Sequence, residues 1–244
     1  MIAAGDGAFR EGYRMARLIG LLLLSMQAGF AVAATPAGQF VDRVYSDDAG
    51  DHRYVVFVPQ NPSDEPLPVV LFLHGAGEKG VDGRRQLTVG LGPALEAWPD
   101  YPAYVVFPQC EDLNGRHLLG WRADRADAKR ALRILDQVIA DYPIDSRRQA
   151  LCGWSMGGYG AWSVAAAYPE RWQSVLAFSG GGDPEILQGW PAMASPVWAI
   201  HGESDSLVPV QESEQMMQAL LAAGGTGRLD QLPGIGHDVW RWGL

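Results

Sequence analysis

Lysine is scarce in this chain. Of 19 basic residues only Lys79 and Lys129 are lysines, and the net charge is −9 over 244 residues. No segment gathers Lys and Arg into a patch. Phosphate backbones and anionic lipid surfaces are held by dense positive charge, so nucleic-acid binding and docking on anionic membranes are excluded. Cysteine is limited to Cys110 and Cys152. No C-x₂-C or H-E-x-x-H spacing occurs, so no metal is implied. Repeats, low-complexity runs and linkers are also missing, and with 48% apolar residues the chain is not of the disordered class.

Long apolar runs are missing too. The strongest, Leu18–Leu24, continues only weakly to Ala33, diluted by Ser25, Gln27, Gly20 and Gly29. A span of roughly 20 apolar residues would be needed to cross a bilayer. Arg10, Arg14 and Arg17 before this core, and Ala31-Val32-Ala33 after it, have the layout of a signal peptide over residues 1–33. Met15 would give a more usual leader length, which makes 1–14 an upstream mis-start. The expected product is exported, periplasmic or secreted, with no stable membrane insertion after cleavage. Residues 34–244 are then one domain of ordinary size.

Phe40–Tyr45 and Arg53–Val58 read as an antiparallel pair across the turn-rich link Ser46–Asp51. Apolar strands follow at Val69–Leu73, Ala103–Phe107, Ala150–Gly153, Ser174–Phe178, Val197–Ile200 and near Leu229–Gln231. Helical patterns alternate with them over Arg84–Trp98, Asp124–Asp141, Met156–Tyr168 and Val210–Ala223. In the second of these, Ala128, Ala131, Leu132, Leu135, Val138 and Ile139 fall at three- and four-residue spacing and make one apolar face. Such alternation predicts an α/β fold: a mostly parallel, doubly wound sheet with helices on both faces and an antiparallel N-terminal strand pair. In that order the strands ending near Cys110 and Cys152 flank Val69–Leu73. They lie about 9–10 Å apart, too far for a disulfide that needs Cα atoms within about 7 Å. Two buried thiols are expected, with a bridge as the second reading should Cys110 lie past its strand end.

The segment Gly153-Trp154-Ser155-Met156-Gly157-Gly158 lies between a strand and an Ala-rich helix. A Gly-x-Ser-x-Gly in that context is a nucleophile elbow. Its glycines sit where a side chain would clash, and the serine is forced into a strained conformation at the sheet edge. Serine becomes a nucleophile only when a base takes its proton and a third group holds the base. The chain order Ser, acid, His is met by Ser155, Asp205 and His237. Asp205 follows the strand ending at His201-Gly202, and His237 lies on the loop Pro233-Gly234-Ile235-Gly236. Asp183 is the rival acid. Asp238 adjoins His237 and would have to fold back; Glu203 reads as a solvated charge. His74 and His201 end apolar strands, and such histidines bond locally more often than they catalyse. His52 and His117 sit in polar loops without signal. The turn His74-Gly75-Ala76-Gly77-Glu78 would free backbone N–H groups for an oxyanion, the donors being Ala76 and Met156. The G-x-G-x-x-G match Gly75–Gly80 is not a dinucleotide site, because no acidic residue ends a strand about 20 residues on.

With these pieces in place the chain resembles the α/β-hydrolase superfamily. It is most similar to the esterase branch of phospholipase/carboxylesterase-type, dienelactone-hydrolase-like and polyhydroxybutyrate-depolymerase-like serine esterases. Five segments carry the likeness: Leu71–Glu78, Val106–Cys110, Gly153–Trp162, His201–Asp205 and Gly236–Trp240. They run in family order over about residues 40–244. The resemblance implies Ser155, Asp205 and His237 as a triad, and an esterase or related acyl hydrolase acting without cofactor on a small-molecule or oligomeric ester. It also implies a helix beyond the histidine, where this chain has only Val239–Leu244, a stub or a truncated end. Two other readings are a serine peptidase or amidase with the same triad, and a non-catalytic extracellular ligand-binding relative. No insertion is long enough for a large lid domain. Of nine tryptophans, Trp162, Trp172 and Trp198 are expected in the core. Trp121 and Trp154 are expected, with His74 and Gly75, to wall a substrate pocket suited to a feruloyl, aryl or sugar-bearing ester.

Overall fold

The computed structural model describes residues 38–60, 65–113, 118–191 and 194–243. The expected leader and His117 lie outside them. β1 (Gln39–Asp47) and β2 (Gly50–Val58) form an antiparallel hairpin. The strands extend through the link that was expected to be a loop, leaving only Asp48 and Ala49 as the turn, with Gly50 at φ 123°. His52 therefore lies in a strand and not in a polar loop. It is buried between Asp47 and Glu111, with ring nitrogens 3.0 and 2.9 Å from their carboxylates.

Six further strands complete the sheet: β3 (Leu67–Leu73), β4 (Tyr104–Pro108), β5 (Ile144–Trp154), β6 (Ser174–Phe178), β7 (Val197–Gly202) and β8 (Gly227–Leu232). The order is β1-β2-β4-β3-β5-β6-β7-β8, parallel from β4 to β8. Neighbouring residues on one strand point to opposite faces, so the apolar runs split between two cores. Val69, Leu71 and Leu73 pack with α2 (Ala126–Asp141), α3 (Met156–Ala167) and α4 (Val210–Ala222). Val70 and Phe72 pack on the other face with α1 (Leu91–Ala97). Val239 and Trp240 join that second core, Trp240 opening α5 (Trp240–Gly243).

The helix expected over Arg84–Trp98 is broken into a 3₁₀ turn at Arg85–Thr88 and α1. Gly90 separates them at φ 59°, and a Cβ there would lie 2.2 Å from the Phe72 ring. Trp162 and Trp172 are buried as expected. Trp198 is only half-buried; Arg228 lies over its ring at 4.2 Å. Because β3 lies between β4 and β5, Cys110 and Cys152 are kept apart, and both are free, buried thiols.

Crossovers from β3 and β4 leave in opposite directions, one through α1 and the other through α2. In open α/β sheets ligands bind at such a switch, beyond the C-terminal strand ends. Leu73 of β3 pairs with Gly153 of β5, so the turn after β3 and the turn after β5 are neighbours there.

Candidate active site

β5 runs into Ser155, and α3 starts at the next residue. Ser155 has φ 56° and ψ −118°, a conformation costly for any residue with a Cβ. The chain cannot relax out of it, because the elbow is packed backbone to backbone. A Cβ on Gly157 would lie 1.8 Å from Leu73 O, and one on Gly153 2.0 Å from Gly157 O. The Ser155 N–H donates to Phe178 O at 2.9 Å, tying the turn to β6. Ser155 is buried to 7% exposure. The first amide of α3, on Met156, has no partner within the helix, as at any helix start.

His237 and Asp205 meet this serine from separate loops. His237 Nε2 lies 2.9 Å from Ser155 Oγ, and His237 Nδ1 lies 2.7 Å from Asp205 Oδ2. Three close contacts bring the loops together. A Cβ on Gly202 would lie 2.3 Å from both Ile235 O and Gly236 O, the Ser204 N–H donates to Ile235 O, and the Glu203 N–H donates to Leu232 O. The Asp205 side chain has no exposed surface. Its Oδ1 accepts the Leu207 and Val208 N–H groups at 2.9 Å each. Burial alone would raise its pKa. The Val208 amide, the His237 ring and the Leu207 amide outweigh burial and hold it below the usual carboxylate value.

The His237 backbone is anchored as well. Its carbonyl accepts the Trp154 indole N–H at 3.0 Å and the Ser179 hydroxyl at 2.9 Å. The Trp154 and His237 rings lie 5.1 Å apart. Trp154 therefore supports the histidine from behind, a role the sequence did not suggest. Ser179 was missed from sequence. It is fully buried at the end of β6 with φ 44°, the other described non-glycine residue besides Ser155 in the left-handed region. The available signal was a serine in the motif Phe178-Ser179-Gly180 at a strand end.

The turn after β3 is built from beneath. His74 is fully buried; its Nδ1–H donates to Gly75 O at 2.6 Å and its Nε2 accepts the Cys110 N–H at 2.9 Å. Burial pushes its pKa down to about 4, so the ring is neutral. Trp121, also fully buried, donates its indole N–H to His74 O at 3.0 Å. Neither residue offers surface to a ligand, which corrects their expected place in a pocket wall. Gly75 is buried against Trp154, whose ring a Cβ there would meet at 2.8 Å. Ala76, partly exposed, opens a 3₁₀ turn through Glu78 at the rim.

The rivals are occupied elsewhere. Asp183 Oδ1 accepts the Glu185 N–H at 3.0 Å and caps a 3₁₀ turn. The Asp238 carboxylate is exposed, 3.8 Å from Arg241, and Glu203 is exposed. Among the described residues no group of three or more His, Cys, Asp and Glu side chains could hold a metal ion. No described helix is long and apolar enough to cross a membrane.

A sheet of this order, with a strained serine at the turn after β5 and helices on both faces, is the architecture of the α/β-hydrolases. The chain belongs to the phospholipase/carboxylesterase family, whose model matches residues 56–244. It is 25% identical over 241 residues to a putative carboxymethylenebutenolidase of Escherichia coli (strain K12), covering 87% of this chain and 86% of that one. It is 25% identical over 183 residues to a probable feruloyl esterase C of Aspergillus terreus, covering 73% and 64%. A solved thermostable esterase superposes with a TM-score of 0.67 at 26% identity, over 83% of this chain and 58% of the other. The first curated relatives are mostly longer proteins, of which this chain spans between 6% and 38%.

Proposed function

We propose that the protein is an exported serine esterase that cleaves carboxylic esters through a Ser155–His237–Asp205 triad and an acyl-enzyme. The observation that carries this reading is the hydrogen-bond relay of 2.9 and 2.7 Å ending on a serine held at φ 56°. Ser155 Oγ attacks the acyl carbon as His237 Nε2 takes its proton. Asp205 holds the His237 Nδ1–H and stabilises the ring once charged. The negative charge on the former carbonyl oxygen is met by the Met156 and Ala76 amides. Collapse breaks the bond to the alcohol, which leaves with the proton from His237. Water then attacks the acyl-enzyme, giving its proton to the same nitrogen, and Ser155 is regenerated. No cofactor is needed to balance these steps. Esters are preferred over amides here on the strength of the family and of relatives described as esterases. Export rests on the basic start, short apolar core and Ala-x-Ala site of residues 1–33.

The test pairs a fluorophosphonate probe with a panel of p-nitrophenyl esters of rising chain length and a set of peptide anilides. The expected result is labelling of wild type at Ser155 and turnover of esters well above anilides. Both should be lost in Ser155→Ala with an unchanged far-UV spectrum, by at least ~10⁴-fold in kcat. Turnover retained in pure Ser155→Ala would end the mechanism, and anilides cleaved as fast as esters would make the protein an amidase.

A further inference from the structure

Asp205 carries two histidines. Its Oδ2 lies 2.7 Å from His237 Nδ1 and 3.3 Å from Nε2 of His201, the residue four positions earlier at the end of β7. His201 has no exposed surface. We propose that His201 is a positioning residue for the hydrolysis: its Nε2–H fixes the direction of Asp205 Oδ2 and shares its negative charge with His237. The inference rests on the triad reading above.

The hydrogen on Nε2 follows from its surroundings. That nitrogen lies 2.9 Å from Val208 O as well as 3.3 Å from Asp205 Oδ2, and both are acceptors in the folded chain. A lone pair facing two oxygens would be repelled, so Nε2 is the protonated nitrogen. Burial lowers the pKa of His201, which leaves the ring neutral and makes Nδ1 the acceptor. Ser213 Oγ of α4 stands 2.7 Å from that nitrogen, its single hydroxyl hydrogen shared between Nδ1 and Gly180 O. Ser213 Oγ also lies 2.8 Å from Gly180 O, and Gly180 packs against the Gly158 backbone of α3. The ring is thus gripped by β7, by α4 and by the loop over the elbow helix, a stiffer mounting than the Asp205 loop has alone.

Asp205 Oδ1 is taken by two backbone amides, so Oδ2 is the oxygen left for imidazoles. Without the second donor, Oδ2 would be freer to turn away from His237. Its undivided charge would also favour the protonated form of His237. The other ionisable groups near this set are Tyr159 of α3, which interacts with Glu212 of α4 and with Asp205, and Asp238, which faces Glu78. Among the described residues the hydrogen bonds and ion pairs of Asp205 Oδ2 go to His237 and His201, so a change at His201 reads out on His237 directly. Because His201 touches no solvent, it acts on alignment and not on substrate capture.

The experiment measures kcat and KM for p-nitrophenyl acetate against pH in wild type, His201→Phe and His201→Gln, with thermal unfolding of each. The Phe ring keeps the bulk and loses the donor, whereas the Gln amide can reach the place of Nε2. His201→Phe should lower kcat by roughly 10–100-fold, as losing an orienting partner does at other sites, with KM within about twofold. The midpoint of its kcat/KM profile should move up by about half a pH unit. His201→Gln should recover most of kcat and return the midpoint. If Phe leaves the midpoint in place, or if Gln is no better than Phe, His201 only fills space and the proposal is overturned. Should Phe fail to fold, His201→Asn replaces it: its amide ends near the place of Nδ1, short of Oδ2, so the midpoint must again rise. Ser155→Ala in the same assay separates the two readings. If turnover survives it, the triad itself is wrong; if turnover is lost and the His201 midpoints do not move, only this inference falls.

Discussion

Ser155 is held by backbone crowding around its own turn. Gly153, Gly157 and Gly158 let the end of β5, the start of α3 and the turn after β3 approach so closely that no other turn fits. His237 is held by residues far along the chain. Its carbonyl hangs on Trp154, 83 positions earlier, and on Ser179, 58 positions earlier, and its ring on Asp205, 32 positions earlier. Its own loop has room: Gly234 is at φ 71°, with nothing within 4 Å of where a Cβ would be. One site residue is fixed by steric exclusion and the other by hydrogen bonds. The first kind fails all at once, the second by degrees. Trp154 joins them, since the elbow's own second residue supports the histidine.

The largest effect tests the acid that the loop contacts select. Asp205→Asn should lower kcat by on the order of 10⁴, because an amide cannot hold His237 in the working tautomer. Asp183→Asn should stay within a few-fold of wild type, since Asp183 caps a local turn. Steady-state kinetics on both variants decides it; a crippling Asp183→Asn would move the acid to the loop after β6.

The next contrast is between glycines. Gly157→Ala puts a Cβ 1.8 Å from a backbone oxygen that cannot retreat. It should cost about 3 kcal/mol or more and lower the thermal midpoint by roughly 6–12 °C. Gly234→Ala meets open space and should cost only about 1 kcal/mol of left-handed strain. Equal losses for the two in calorimetry would erase the distinction between a crowded elbow and a roomy loop.

The smallest effects probe the hydrogen bonds on the His237 carbonyl. Trp154→Phe and Ser179→Ala each remove one donor, worth about 1 kcal/mol, so each should lower kcat about fivefold. Together they leave that carbonyl without either side-chain donor. The double variant should then fall by more than the product of the two, measured as a double-mutant cycle. Strict multiplicativity would mean that the two donors do not share the task.

The sheet and most elements were legible because apolar alternation and glycine punctuation are local signals. Where reading failed, the cause was remote. The hairpin runs through Asp51 and His52 because β1 pairs with that segment along its whole length. The helix before β4 breaks at Gly90 because the Phe72 ring of β3 occupies the space a side chain would take. His74 and Trp121 resembled pocket residues because their motif borders the site. Only packing reveals that they lie underneath it.

By itself the sequence determined the order of strands and helices, the elbow at Ser155 and the reactive residue types in the order Ser, Asp, His. Each of these depends on residues close together in the chain. Tertiary structure decided which acid meets His237, what holds its loop, and that His201 lies on the same carboxylate. Those outcomes depend on the sheet order, which places β5, β6 and β7 side by side and so brings together loops that the sequence keeps tens of residues apart.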